Sequence, residues 1–132
     1  MKKAVRGMVV LAGLAVFGTA QAADWVQFAT MSKGGGAVIY ADNASIKKQT
    51  GGTLTAWIKT EFRKPQVLGG QTYVSTTHLE RVDCSSRQIS TGTMIWYGQD
   101  GAVVHQEPGF GPMGEPAPET IGESILNLFC PT

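Results

Sequence analysis

Residues Met1 to Ala22 fix the compartment in which the rest of this 132-residue chain has to fold. Lys2, Lys3 and Arg6 form a cationic end, Met8 to Phe17 an apolar stretch, and Ala20-Gln21-Ala22 a small-residue cleavage motif, the three parts of a secretory signal. A membrane span needs about 20 consecutive apolar residues, and Gly18, Thr19 and Gln21 interrupt this stretch well short of that. The expectation is a signal peptide over residues 1–22, cleaved on export, and a single domain over 23–132. The product is then periplasmic, at the outer surface or secreted. No cysteine follows the apolar stretch, so no lipid anchor is expected.

Export sets the redox state of the two cysteines. In an oxidising compartment an even pair reads as a disulfide, here Cys84 with Cys130. Two free thiols fit that compartment less well. A zinc site needs three or four ligands, and His78 and His105 show no ligand spacing with either cysteine. No metal and no cofactor is expected. Removal of the first 22 residues leaves eight basic against ten acidic residues, a formal −2. That balance offers nothing to nucleic acid or to an anionic membrane.

Strand signals dominate the mature chain. Trp25–Thr30 and Ala37–Asp42 form a hairpin across Ser32-Lys33-Gly34-Gly35-Gly36, and Asn43–Gln49 reads as a turn or helical loop that pins Ile46 inward. Leu54–Phe62 alternates cleanly, with Leu54, Ala56, Ile58 and Phe62 on one face and Thr55, Trp57, Lys59 and Glu61 on the other. Lys64 to Gly70 reads as a loop by its Pro and Gly content. Thr72–Cys84 is a long strand in which neither face is purely apolar, which suggests a bulge.

Gln88–Tyr97 and Ala102–Gln106 pair across Gly98-Gln99-Asp100-Gly101, and the proline-rich stretch Glu107–Pro118 is a surface loop. Thr120-Ile121-Gly122-Glu123 has capping-box spacing, and Ile121, Ile125, Leu128 and Phe129 make one apolar stripe on the helix that follows. The fold class is therefore α+β: about six antiparallel strands in a meander, packed against a C-terminal α-helix that the disulfide ties to the sheet.

Catalytic groups are hard to assemble from these residues. His78 and His105 sit in strand patterns with no nucleophile motif nearby, and Glu61 with Arg63 and Glu80 with Arg81 read as solvated surface charge. The glycine runs lack phosphate-loop context. The chain is expected not to be an enzyme. Trp57 shares its face with Lys59 and Glu61, a composition suited to protein contacts, although packing under the helix or a loop is the alternative. Trp57, Lys59, Arg63 and Lys64 are the candidate binding residues, with Lys47 and Lys48 adding to the basic stretch. Trp25, Trp96 and Phe129 are placed in or near the core.

In order along the chain, Trp25, Val38-Ile39-Tyr40-Ala41-Asp42 with Ser45-Ile46, Thr55-Ala56-Trp57-Ile58-Lys59, Val82-Asp83-Cys84 and Asn127-Leu128-Phe129-Cys130 resemble the surface-adhesin protein E family. The resemblance covers nearly the whole mature chain. It implies an antiparallel sheet on a C-terminal helix, joined by a disulfide, and binding to host or extracellular-matrix proteins such as vitronectin, laminin and plasminogen. A characterised member of that family is lipid-anchored, and this chain lacks the anchoring cysteine, so a periplasmic or secreted protein is expected rather than a displayed one. An alternative function is a periplasmic inhibitor of a hydrolase such as lysozyme, with Glu107–Pro118 as the inserting loop.

Overall fold

The computed structural model describes residues 22–131; the expected signal peptide lies outside the described residues except for Ala22. One antiparallel sheet carries all seven strands of the described residues, of which β1 (Trp25–Met31), β2 (Ala37–Asp42), β4 (Thr53–Leu68), β5 (Gln71–Asp83), β6 (Gln88–Tyr97) and β7 (Val103–Glu107) lie side by side in chain order. The two-residue β3 (Lys47–Lys48) pairs beside β4. The chain is thus the expected meander followed by one helix, α1 (Ile121–Phe129).

Alternation sends Ile39, Ala41, Leu54, Ile58 and Val82 to one face, where they meet Ile125, Leu126 and Cys130 of the helix in a single core. Thr120 caps α1, its hydroxyl accepting the Glu123 N–H at 3.3 Å, while the Glu123 carboxylate reaches the N–H of Glu119. Cys84 at the end of β5 is bonded to Cys130, with 5.3 Å between the Cα atoms. Of the expected stripe, Ile121, Ile125 and Phe129 pack in or against this core. Leu126 and Cys130, four residues apart, face the sheet, and Leu128 is left 42% exposed.

Two further expectations need correction. Lys64 to Gly70 is not a loop, because β4 runs through Pro65 to Leu68. The β4–β5 register shifts between Glu61 and Gln66, so Pro65 sits in a bulge where no ladder N–H is required. The turn shrinks to Gly69-Gly70, both at positive φ, as a two-residue hairpin of this twist demands. Second, Glu80 is not solvated. It shares the helix-side face with Val82 and is 1% exposed.

The bulge or bend expected within the long strand is absent from β5, whose mixed face comes from the buried Thr76, His78 and Glu80, and the irregularity falls on its neighbour. His78 faces Met94 and Glu80 faces Thr91, so β6 holds an extra residue there. The Glu107–Pro118 segment is a mostly exposed loop that is nonetheless pinned to β6: Gly114 bridges Ile89, and the Ser90 hydroxyl donates to the Gly111 carbonyl.

Candidate functional site

The helix covers one face of the sheet; on the other, the Glu107–Pro118 loop covers the row Thr55, Arg81 and Ser90 with Phe110 and leaves the rest open. Register decides what that open face presents. Tyr40 pairs with Lys59, Lys59 with Thr77 and Thr77 with Ile95, so these four side chains form one row across β2, β4, β5 and β6. Trp57 stands in the neighbouring row opposite Leu79, and Trp25 stands opposite Asp42 at the sheet edge. All are half-buried except Asp42, which is buried.

Lys59 organises this face. Its ammonium lies 4.7 Å from the Trp25 ring centre and 5.0 Å from that of Tyr40, within cation–π range, and 3.4 Å from the Glu61 carboxylate. Beside it, Trp25, Asp42, Trp57, Thr77, Ile95 and Tyr97 line a cleft of about 320 Å³. The Thr77 and Tyr97 hydroxyls are hydrogen-bonded at 3.1 Å on its floor. Asp42 is fixed from behind, since its Oδ1 accepts the backbone N–H groups of Asp24 at 2.8 Å and Ala44 at 3.1 Å. The Ser45 hydroxyl donates to the Asp42 carbonyl and accepts the Trp57 N–H at 3.0 Å, which ties the Trp57 backbone to the same turn.

The four expected binding residues are therefore split. Trp57 and Lys59 come together on the open face, with Trp57 packed under neither helix nor loop. Arg63 and Lys64 lie further along β4, exposed, the Lys64 stem crossing so closely over Gly35 that a Cβ there would fall 2.7 Å from it. Lys47 and Lys48 are exposed on β3. Trp25, placed in the core from sequence, walls the cleft instead, because it stands opposite Asp42 on the face away from the helix. Trp96 is buried as expected. Tyr40, Asp42, Thr77, Ile95 and Tyr97 were missed; each points from its strand to the face away from the helix, and only the cross-strand register brings them together.

Other groups are occupied within the fold. His78 Nε2 lies 2.8 Å from Glu80 Oε2, and the Thr91 hydroxyl donates to the same carboxylate at 3.2 Å. His105 packs tilted against Trp96, with 4.9 Å between ring centres, and meets Glu107 at 3.1 Å. Phe110, the aromatic of the proline-rich loop, lies under the Arg81 guanidinium at 4.0 Å and fills the space that a Cβ on Gly92 would take. A second hollow of about 260 Å³ beside the helix terminus is apolar apart from Asn43, with Val26, Phe28, Ile46 and Leu128 among its walls. Among the described residues no helix is long and apolar enough to cross a membrane.

The family model described as surface-adhesin protein E matches residues 25–131, which span every strand and the helix. No curated protein and no solved structure matches the chain.

Proposed function

The chain belongs to the surface-adhesin protein E family, and we propose that it is a non-enzymatic exported module that binds host or extracellular-matrix proteins through the open face of its sheet. The observation that carries this reading is the aromatic patch opposite the helix, half-exposed, with Trp25 and Tyr40 against Lys59 and Trp57 and Tyr97 lining the adjoining cleft. Aromatic side chains with an amphipathic edge are the residues that contribute most at protein contacts. They are here held by strands, so little ordering accompanies binding.

The segment to Ala22 is a cleaved leader and the remainder one domain; the match from residue 25 supports that division. The Cys84–Cys130 bond supports an oxidising destination. Arg63 and Lys64 contribute at the rim, where charge governs encounter more than affinity.

Solid-phase binding of the mature chain to vitronectin, laminin and plasminogen tests the reading. Saturable binding to at least one, weakened by about tenfold or more in Trp57→Ala, is the expected result. No saturable binding to any of them, or binding indifferent to Trp57→Ala in a folded variant, contradicts it.

A further inference from the structure

We propose that the cleft between Trp25, Trp57 and Tyr97 is a glycan subsite that takes one neutral pyranose ring, so that what the open face recognises on its partners is carbohydrate. This deepens the preceding proposal and rests on it for the nature of the partner. The inference comes from the pairing of two kinds of wall. Indole and phenol rings dominate a mostly apolar lining in which Asp42, Thr77 and the Tyr97 hydroxyl are the polar members. A pyranose has the matching division: an apolar patch of C–H bonds on its faces, which packs on an aromatic ring, and a rim of hydroxyls that both donate and accept.

Each polar group has the right partner. The Asp42 carboxylate is held through Oδ1, which accepts the N–H groups of Asp24 and Ala44, so neither of these bonds occupies its second oxygen. The Thr77 and Tyr97 hydroxyls each bring one O–H and two lone pairs, more than their mutual bond uses. The indole N–H groups of Trp25 and Trp57 add donors at the walls.

Charge narrows the ligand further. The Lys59 ammonium beside the cleft already faces Glu61 and two aromatic rings, so it is not a free cation awaiting an anionic ligand. Asp42 in the lining repels carboxylate, sulfate and phosphate groups. A proline-rich peptide would satisfy the rings but would leave the carboxylate without donors, since proline has no N–H. The volume is at the small end for ligand sites, which suits a single ring of a longer chain lying across the face.

Two sources share this chemistry, the glycans of matrix glycoproteins and the glycan strands of the bacterial wall. The test is titration of the mature chain by tryptophan fluorescence and calorimetry with chitotetraose, cellotetraose and soluble wall-glycan fragments released by a muramidase. A parallel arm measures binding to vitronectin and laminin before and after enzymatic removal of their N-glycans. Saturable binding to at least one oligosaccharide is expected, weakened by about tenfold in Trp57→Ala and measurably in Tyr97→Phe, which keeps the ring and removes only the hydroxyl. A wall-fragment signal alone identifies the wall as the source, and loss of matrix binding on deglycosylation identifies the host.

No saturable signal with any of these oligosaccharides overturns the inference, as does a signal that survives both substitutions. If matrix binding needs Trp57 yet persists after deglycosylation, the glycan assignment fails while the adhesion reading stands. If oligosaccharides bind and matrix proteins do not, the glycan subsite stands and host adhesion fails.

Discussion

Glu80 and His78 meet at 2.8 Å on the helix-side face of β5, with 1% and 10% of their side chains exposed, and Thr91 completes the cluster from β6. Removing the carboxylate leaves a buried imidazole and a hydroxyl without their partner. Glu80→Ala is expected to lower unfolding free energy by about 2 to 3 kcal/mol. Glu80→Gln keeps an acceptor for Thr91 and loses less. Urea denaturation of the three proteins at one pH, compared at equal slope, checks the order.

The Cys84–Cys130 bond closes a span of 46 residues in sequence. In the chain-entropy model such a link contributes about 4 kcal/mol, a large share of a typical domain stability of about 5 to 15 kcal/mol. The nine-residue helix is too short to persist alone. The double variant Cys84→Ser/Cys130→Ser is therefore expected to lose about that amount, with amide protection in α1 falling before that in β4 and β5. Hydrogen exchange followed by mass spectrometry reads both.

Asp83 closes β5 by accepting the Ser85 hydroxyl at 2.6 Å and, more weakly, the Ser85 and Ser86 N–H groups. The Ser85 hydroxyl bond is the main cause that holds its carboxyl below the usual range, against a smaller opposing effect of desolvation. A lowered folded value means the contribution is fully present above the unfolded value, about pH 4, and is lost as pH falls through the folded one. An NMR titration is expected to place the Asp83 midpoint below that of a free aspartate, and Ser85→Ala to raise it. A midpoint unchanged by Ser85→Ala removes the hydroxyl as the cause.

The fold was legible because alternation and glycine punctuation are local. Leu54, Ala56 and Ile58 announced the buried face of β4, and Thr120 with Glu123 announced the helix start. What local pattern could not carry was phase across strands. Pro65 looked like a loop because its tolerance depends on a bulge opposite β5, and Glu80 looked solvated because its partner is His78, two residues back on the same face, and not Arg81. The open face was half legible for the same reason. Trp57 and Lys59 share a strand, whereas Trp25, Thr77 and Tyr97 join them only through the register of the sheet.

The central claim, that the face opposite the helix is where partners bind, is tested most directly by hydroxyl-radical footprinting of the mature chain free and bound to its tightest matrix protein. Trp25, Tyr40, Trp57 and Tyr97 are reactive reporters on the open face. Leu128 on the helix and Val26 on the helix side of β1, 42% and 51% exposed, report on the other surface. The expected result is loss of oxidation at the four open-face aromatics, with Leu128 and Val26 unchanged. Protection at Leu128 or Val26 with Trp57 and Tyr97 still oxidised at their free rates would contradict the account.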